Sequence, residues 1–488
     1  MIFQADTMYM DVHKQDYTFH FIWRCLLVFC TLSCHAHFNE VQADRPPNVI
    51  FFYADDLGWM DLRIQGSPYY ETPNIDAIGT SGMRFTNAYA NAANCAPSRA
   101  CLMTGLYTPR HGIYTVGNSD RGDKTKRRLV PIKNQTVLDT SFMNLPRFFK
   151  ERGYRTCIAG KWHLSQDPTE YGFDENYGGN QQGHPYSYFA PYRNPTLVDG
   201  PKDEYLTDRL AEEVKAFIRR HSTQPFFAYV PFYSVHTPIQ PRPDLVGKYE
   251  QKEKGPHHNK PEYAAMIEAM DRAVGAIVAQ VEALELEEET IIIFTSDNGA
   301  HGGQTLSRPL RGSKGMYYEG GIRVPLLISW PSHIEPETRS DVPVIGLDLF
   351  PTLVDMLAPE QLVEAQFDGV SIWPILQGAV ETMNRALFWH FPAYLQSYRG
   401  DRARNDAHDK PHFRTAPCSV IRLGDWKLIR YYEEGDQELY DLTKDIGERH
   451  NLIGDGLAEE RLLVDSLDHW LLDTKAAIPT MSNPYYAE

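Results

Sequence analysis

Short apolar runs alternate along most of the chain with segments in which apolar residues recur three or four positions apart. The apolar runs have the length and composition of buried strands, and they lie at Asn48–Ala54, Thr156–Ala159, Pro225–Val230, Thr290–Thr295 and Val324–Trp330. The amphipathic segments predict helices at Leu138–Lys150, Tyr205–His221 and Tyr263–Leu284. Strands that alternate with helices predict an α/β fold, in which a large, mostly parallel sheet is covered by helices on both faces.

The pattern changes after about Gly378, where short alternating strands replace the buried runs. Ser419–Leu423 and Trp426–Tyr432 flank Gly424 and Asp425, which predicts an antiparallel hairpin. The remaining predicted elements are a strand at Glu438–Leu442, a helix at Gly456–Lys475 and a charged surface loop at Pro392–Ala416. We therefore expect a small antiparallel sheet with a helix beside the main sheet. The expected domains are a leader over 1–43, an α/β domain over 44–380 and a C-terminal subdomain over 381–488.

The N-terminus has the features of a targeting segment. Basic residues precede the apolar run Cys25–Cys34, which is too short to cross a bilayer. Val41-Gln42-Ala43 then offers a small-residue cleavage site before Asp44. The segment predicts export to the periplasm or the medium, without a stable membrane span. Lipoprotein anchoring at Cys34 and a leader that does not direct export are the alternatives.

Charge and cysteine content restrict the partners and the chemistry. The 488 residues carry a formal charge of −16, which argues against a nucleic-acid partner because such partners are bound mainly through Lys and Arg. An anionic substrate would need a locally cationic site. The four cysteines beyond the leader are too few for a disulfide framework and have no metal-binding spacing. If Cys95 is set aside, at most one bridge is possible among Cys101, Cys157 and Cys418.

Carboxylate and amide side chains follow two of the predicted strands. Asp55 and Asp56 come directly after the first strand, and Asp297, Asn298 and Gly299 follow another. In open α/β sheets such strand ends converge on the ligand crevice. Hard oxygen ligands favour Ca²⁺ or Mg²⁺ over zinc. Taken alone, each cluster is more often a helix cap or a turn than a metal site, so the metal hypothesis depends on the two clusters occurring together.

Two histidines and two lysines occupy comparable positions. Lys161 and His163 come shortly after one predicted strand, and His236 comes shortly after another. Their ordinary pKa would suit the histidines to general acid and base roles, although single histidines are more often packed or exposed residues. Lys314 lies in a glycine-rich loop, where it would ordinarily be a solvated surface charge.

Residues Cys95–Gly105 (CAPSRACLMTG) are the most unusual stretch of the chain. Pro97 favours the first turn of a helix, which places Cys95 at or just before the helix N-terminus. The unpaired N–H groups and positive dipole end would lower the pKa of a thiol there. A low-pKa thiolate nucleophile is therefore one hypothesis for Cys95.

A second hypothesis comes from resemblance. From about residue 46 to the C-terminus, the ordered motifs resemble those of the formylglycine-dependent (type I) sulfatases of the alkaline-phosphatase superfamily. The motifs are Asp-Asp after the first strand, Cys-x-Pro-Ser-Arg, Gly-Lys-Trp-His, His-Thr-Pro, Ser-Asp-Asn-Gly, Gly-x-Lys-Gly, Glu-Gly-Gly-Ile-Arg-Val-Pro and the closing Leu439–Leu452 segment. The resemblance implies an alkaline-phosphatase-like fold with a smaller antiparallel subdomain. It also implies that a formylglycine-generating enzyme oxidises Cys95 to an aldehyde (3-oxoalanine), whose hydrate is the nucleophile.

The same resemblance assigns roles to the residues around Cys95. It implies one Ca²⁺, in preference to Mg²⁺, bound by Asp55, Asp56, Asp297, Asn298 and the modified Cys95. Arg99 would return to the aldehyde and the metal carboxylates, while Lys161 and Lys314 would neutralise the sulfate.

The histidine roles and the substrate follow from the family in the same way. The resemblance implies that His236 protonates the departing sugar oxygen and that His163 takes the proton from the second hydroxyl of the hydrate. We expect hydrolysis of a sulfated carbohydrate. The aromatic segments Asn176–Asn194 and Phe388–Tyr394 fit either sugar binding or loop packing. The rival functions are a phosphonate monoester or phosphodiester hydrolase, and an inactive carbohydrate-binding relative in which Cys95 is never converted.

Overall fold

An eight-stranded mixed sheet forms the centre of the computed structural model, which describes residues 45–362, 366–396 and 412–487. The strands are β1 (Asn48–Ala54), β2 (Met83–Phe85), β3 (Ala88–Tyr89), β4 (Arg155–Ala159), β5 (Glu175–Tyr177), β6 (Phe226–Pro231), β7 (Thr290–Ser296), β8 (Leu326–Ser329), β9 (Thr338–Ser340), β10 (Val344–Ile345), β11 (Ala386–Phe391), β12 (Leu395–Gln396), β13 (Phe413–Thr415), β14 (Cys418–Leu423), β15 (Trp426–Tyr431) and β16 (Gln437–Asp441). The order in the large sheet is β5-β4-β6-β1-β7-β8-β2-β9. All of its pairings are parallel except those of β8 with β7 and β2, so the predicted mixed, mostly parallel sheet is confirmed.

Helices cover both faces of this sheet. They are α1 (Pro73–Thr80), α2 (Cys95–Thr104), α3 (Thr108–His111), α4 (Leu145–Glu151), α5 (Leu206–Arg220), α6 (Pro243–Gln251), α7 (Pro261–Glu282), α8 (Glu319–Ile322), α9 (Leu349–Leu357), α10 (Pro359–Leu362), α11 (Trp373–Leu376) and α12 (Ala458–Asp473). One apolar core lies between the sheet and α1, α5, α6 and α7, and a second lies between the other face and α2, α4 and α9. The central strands β1, β6 and β7 are buried along their whole length because both faces are covered.

The C-terminal part forms a separate antiparallel sheet in the order β11-β14-β15-β16. Its core includes residues of α12, as the sequence predicts. Gly424 takes a left-handed backbone (φ 56°) at the turn between β14 and β15, which explains the hairpin. Residues 46–488 form one compact unit, and the division at 380/381 stays a prediction.

Three sequence-based expectations differ from the structure or fall outside it. The helix predicted from Leu138 begins only at Leu145, because the Asn144 side chain accepts the Arg147 N–H and caps the helix there. The expected loop at Pro392–Ala416 contains the paired strands β12 and β13, while residues 397–411 lie outside the described residues. The leader over 1–43 and Cys34 also lie outside them, so export and lipid anchoring stay predictions.

Two further findings concern the cysteines and the membrane. Cys95, Cys101, Cys157 and Cys418 are all free and buried, so the single bridge that the sequence left open is not formed. Across the three described ranges, no helix combines the length and the apolar content that crossing a bilayer requires.

Two buried histidines are neutral in the fold. His111 Nδ1 accepts the Ile113 N–H at 3.2 Å, while its Nε2 lies 3.4 Å from Cys101 Sγ. His390 Nε2 donates to the Ala477 carbonyl at 3.0 Å. Burial lowers the pKa of His111 to about 3 and that of His390 to about 4.

We expect these histidines to make the fold acid-sensitive. The unfolded chain binds their protons below about pH 6.5, whereas the folded chain does so only near pH 4 at His390 and near pH 3 at His111. Stability is therefore lost as the pH falls between those values. At pH 5 the loss should be about 2 kcal/mol for each histidine. Urea unfolding at pH 7 and pH 5 measures it. The difference should shrink in His390→Gln and stay unchanged in His469→Gln, a replacement of an exposed residue on α12. Equal pH dependence in both variants would contradict the assignment.

Candidate active site

The carboxyl ends of β1 and β7, neighbours at the centre of the sheet, bring the predicted metal ligands together. The Asp56 N–H donates to Asp297 Oδ1 at 3.3 Å, and Asn298 Nδ2 donates to Asp56 Oδ1 at 2.9 Å. Asp55, Asp56, Asp297 and Asn298 are all fully buried. Asp56 has a left-handed backbone (φ 64°), a conformation that is costly for a residue with a side chain and that clusters at functional sites.

Each of the three buried carboxylates is paired with its own cation. The pairs are Lys161 Nζ–Asp55 Oδ2 at 2.7 Å, Lys314 Nζ–Asp56 Oδ1 at 2.6 Å and Arg99 Nη2–Asp297 Oδ2 at 2.8 Å. Arg99 also donates to the Lys161 carbonyl at 2.7 Å, which joins two of these pairs. Buried charges are stable only when they are paired in this way. The three pairs place three cations at this sheet edge, and each cation is balanced by one carboxylate.

Cys95 begins α2 and lies against these pairs. Its Sγ is 3.5 Å from Asp55 Oδ1 and 3.3 Å from Lys314 Nζ. The residue is only 2% exposed, and burial raises the pKa of its thiol to about 12, although Lys161 and Lys314 oppose the rise. The low-pKa thiolate hypothesis is therefore wrong. Burial is the main cause of the rise, and the charges of Asp297 and Asp55 add to it.

The two predicted histidines have different contacts. His236 Nε2 is 3.7 Å from Asp56 Oδ2, and its Nδ1 is 2.7 Å from the Thr237 carbonyl. His163 has a left-handed backbone (φ 68°) and packs against Gly183, where a Cβ would come within 2.6 Å of the imidazole. Burial, and then the nearby cations, lower the pKa of both rings well below the usual value. Without a substrate, both histidines are therefore neutral at pH 7.

The donor set fits a hard divalent cation. Asn298 Oδ1 is buried and has no hydrogen-bond partner among the described residues, which leaves an oxygen free for a ligand. Ligand atoms of Asp55, Asp56, Cys95 and His236 all lie within 4.8 Å of one another. Burial and the charges of Asp297 and Asp56 raise the pKa of Asp55, and a cation bound at its carboxylate would oppose that rise. These oxygens match the preference of Ca²⁺ or Mg²⁺.

The predicted site residues converge on one cluster, although their individual roles stay predictions. The His163 backbone N–H donates to the Asn180 carbonyl. Its Nδ1, like Asn298 Oδ1, has no hydrogen-bond partner among the described residues. Sequence reasoning missed Tyr53, whose ring centre lies 5.1 Å from the Arg99 guanidinium and supports it. It also missed Gly183. Neither position has a motif, because Tyr53 is one of several aromatic residues in β1 and Gly183 is one of many loop glycines.

A contact from the C-terminal part also reaches the cluster. Arg414 in β13 donates to the Lys314 carbonyl at 2.9 Å. Gly315 lies tightly against this residue, because a Cβ there would come within 3.2 Å of the Arg414 guanidinium. The loop that contains Lys314 is therefore supported from outside the large sheet.

Most of the aromatic residues that could have bound sugar serve packing instead. Trp389, His390, Phe391 and Tyr394 are buried in or near the C-terminal sheet, and Tyr188 and Tyr192 are buried as well. Tyr186, at 57%, and His184 are exposed, and three others are half-buried: Tyr177, Phe189 and Phe388. His184 stacks on His236 with ring centres 6.1 Å apart, whereas the Ser187 hydroxyl donates to the Phe189 carbonyl. His301 is half-buried.

Comparison with known proteins agrees with this geometry. The family model described as Sulfatase matches residues 47–358, and that described as N-sulphoglucosamine sulphohydrolase, C-terminal, matches residues 313–476. A sulfatase of Formosa agariphila is 33% identical, covering 90% of this chain and 91% of its own length. Arylsulfatase A of Homo sapiens is 32% identical, with 84% of each chain covered. The solved structure of Ps i-CgsB in complex with k-i-k-neocarrahexaose aligns with a TM-score of 0.70 at 27% identity, covering 89% of this chain and 95% of that one.

The family model covers more than half of the chain, and the relatives match it along most of their length. The fold agrees with the alkaline-phosphatase-like architecture that the motifs imply. The chain therefore belongs to the type I sulfatase family of the alkaline-phosphatase superfamily, and it is an enzyme that hydrolyses sulfate esters.

Proposed function

We propose that this sulfatase removes sulfate from a sulfated carbohydrate, using a formylglycine made from Cys95 and a bound Ca²⁺. The observation that carries the proposal is the position of Cys95 Sγ, 3.5 Å from Asp55 and 3.3 Å from Lys314, inside a cluster of buried carboxylates and cations. The oligosaccharide complex of the similar Ps i-CgsB structure supports a carbohydrate substrate. The conversion of Cys95 would require a formylglycine-generating enzyme as a partner.

Formylglycine and Ca²⁺ would supply the nucleophile and a Lewis acid. Formylglycine at position 95 supplies a hydrated aldehyde, which has two hydroxyls on one carbon. Ca²⁺, held by Asp55, Asp56, Asp297, Asn298 and residue 95, supplies polarisation of sulfate oxygens. The cations of this chain stabilise the charge that develops on the sulfate and the departing oxygen. Lys314 Nζ is already 3.3 Å from the side chain of residue 95, and Lys161 adds a second ammonium beside Asp55.

The histidines move protons in this proposal. His236 Nδ1 donates to the Thr237 carbonyl, so in the neutral ring Nε2 is unprotonated. Nε2 would take up a proton when the substrate binds and would then deliver it to the leaving sugar oxygen. The negative charge of a bound sulfate ester would oppose the lowering of its pKa by Lys314. His163 is neutral, and its Nδ1 has no hydrogen-bond partner among the described residues. In this proposal it accepts the proton that must leave residue 95 when sulfate is released.

Mass spectrometry of the peptide around Cys95 tests the nucleophile. We expect a mass about 18 Da below that of the cysteine peptide in protein from the native host, because the thiol becomes an aldehyde. An unmodified thiol in active protein would contradict the proposed nucleophile. An unmodified thiol in inactive protein that binds sugar would support the binding relative.

Rates on aryl sulfate and aryl phosphonate esters test the reaction, and a strong phosphonate preference would favour the rival hydrolase.

Removal of the divalent ion should lower both activity and stability. Dialysis against EGTA should reduce kcat at least about 100-fold, because the loss of a Lewis acid costs several kcal/mol of transition-state stabilisation. It should also lower Tm, since an ion that binds only the folded state stabilises that state. Elemental analysis identifies the native ion, and Ca²⁺ should restore activity better than Mg²⁺. Full activity of a protein shown to be metal-free would contradict the assignment.

A further inference from the structure

A cavity of about 620 Å³ lies where β2, β9 and the hairpin of β14 and β15 meet. None of the residues of the proposed catalytic cluster lines it. Its charged lining consists of Arg84, Arg323, Arg339, Arg422, Asp341 and Asp425. The four arginines outnumber the two aspartates, so this arginine pocket has a net positive lining in a chain of charge −16.

Arg422 is a buried cation without a carboxylate partner. It is 3% exposed, its Nε donates to the Gly424 carbonyl at 2.9 Å, and its Nη1 donates to the Tyr89 hydroxyl. Its Nη2 has no hydrogen bond, and no carboxylate lies within ion-pair distance, among the residues that the structure describes. Burial lowers the pKa of Arg422 to about 10, against the weaker influence of Asp425 and Glu448. Such a charge would be stabilised by an anion in the pocket.

Gln65 and Arg84 also bring N–H donors to the pocket. Gln65 is 6% exposed, and its Nε2 is buried without a partner among the described residues. Arg84 donates to the Ile64 carbonyl and has no carboxylate at ion-pair distance within the described ranges. Burial and the charge of Arg339 lower the pKa of Arg84. Leaving the buried Gln65 amide without a partner is costly, and Arg84 is half-buried beside it, which makes a ligand at this position favourable.

The acidic residues of the pocket leave room for an anion. Asp341 is occupied by Arg339, at 2.9 and 3.0 Å, and by the Thr86 hydroxyl. Asp425 is exposed. Arg323 donates to the Thr86 carbonyl at 2.7 Å and lies 3.4 Å from Glu319. The unpaired guanidinium groups of Arg84 and Arg422 are therefore the cations available to a ligand.

We propose that the arginine pocket binds a tetrahedral oxyanion of the sulfate type, outside the catalytic cluster. Planar guanidinium and amide N–H groups match the oxygens of such an anion, and a dianion would balance the net charge of the lining. The anion could be free sulfate or phosphate, or a sulfate group on a sugar, since the cavity is larger than the ion alone. The proposal does not depend on the conversion of Cys95.

Selenate, a tetrahedral dianion with an anomalous signal, tests the site directly. Crystals soaked in selenate should show an anomalous peak within hydrogen-bond distance of Arg422 and Arg84, and its position separates it from any peak at the active site. In solution, the fluorescence of Trp59, which lines the pocket and lies 4.8 Å from the Arg323 guanidinium, should report sulfate binding. The Trp59→Phe variant gives the background from the other tryptophans.

Matched variants decide the outcome. Arg84→Gln should weaken sulfate binding about 10-fold or more, because a charge-assisted hydrogen bond is lost. Asp425→Asn should tighten binding several-fold, while Arg219→Gln, an exposed change on α5, should leave it unchanged. A missing selenate peak, or equal affinities for Arg84→Gln and Arg219→Gln, would overturn the proposal. Tighter binding of glucose 6-sulfate than of sulfate would identify a sugar sulfate as the ligand, and equal or weaker binding would identify the free anion.

Discussion

Replacement of Cys95 by alanine should abolish sulfate release, lowering kcat by about 10⁴-fold or more while the protein stays folded. The loss of a covalent nucleophile has an effect of this size, because the remaining groups cannot replace the attacking atom. The fold should survive, because the ion pairs of Asp55, Asp56 and Asp297 are formed by Lys161, Lys314 and Arg99 and do not require the sulfur. Steady-state hydrolysis of an aryl sulfate and thermal unfolding measure the two effects.

Cys157→Ala is the matched control for this prediction. Cys157 is a buried, free cysteine in β4 of the large sheet, outside the carboxylate cluster. Its replacement should cost stability of the order of 1 kcal/mol through lost packing and should leave kcat unchanged. Cys95→Ser should also be inactive in turnover, since a single hydroxyl permits attack but not the release that a second oxygen allows. Residual wild-type rates in Cys95→Ala would refute the role of this residue.

Lys314→Met should lower kcat/KM by about 10³-fold, because the ammonium would no longer meet the charge that develops on the sulfate. The variant also leaves Asp56 without the cation that lies 2.6 Å away. The charge of Lys314 holds the pKa of Asp56 well below its usual range against the effect of burial, so the loss of Lys314 should raise that pKa. We therefore expect a smaller catalytic defect at high pH, where Asp56 is ionised, than at low pH. The pH dependence of kcat/KM measures this.

Lys427→Met separates this effect from the general cost of breaking a buried ion pair. Lys427 is fully buried in the C-terminal sheet and pairs with Glu319 at 3.0 Å and Glu448 at 2.8 Å. Its replacement should destabilise the fold by about 3–5 kcal/mol, as expected for an uncompensated buried charge, with little change in the rate per folded molecule. If Lys427→Met lowered kcat/KM as strongly as Lys314→Met, the special role of Lys314 would be contradicted.

The five strands β1, β4, β6, β7 and β8 and the long helices could be predicted from the sequence, whereas the short strands β2, β5 and β9 of the same sheet were not. The roles of the site residues stay predictions. The apolar run at Asn48–Ala54 predicts a buried strand because both of its faces are covered, and the same topology brings Asp55 and Asp297 to one sheet edge. The start of α4 was missed because the apolar spacing continues before Leu145, whereas the helix is decided by the local cap at Asn144. Periodicity describes the burial of a helix better than its ends.

The electrostatics of the site could not be predicted in the same way. A helix N-terminus suggested a low pKa for Cys95. In the fold the thiol is buried and lies beside carboxylates, which raises its pKa. Both the burial and the carboxylates come from residues that are distant from Cys95 in the sequence. The pairing of each carboxylate with a particular cation likewise requires the fold, since Arg99 and Asp297 are far apart in the chain. The aromatic residues of β11 were ambiguous for the same reason, because burial and sugar contact favour the same side chains.

The burial of Cys95 has a consequence for the order of events in the life of the protein. In the finished fold the residue is 2% exposed and is held between Asp55 and Lys314, so another enzyme could not place its own active site around the sulfur. If Cys95 is oxidised by such an enzyme, the oxidation must come first and the folding of α2 onto the sheet afterwards. The yield of active protein would then be set by a race between maturation and folding, and slower folding would favour the active form.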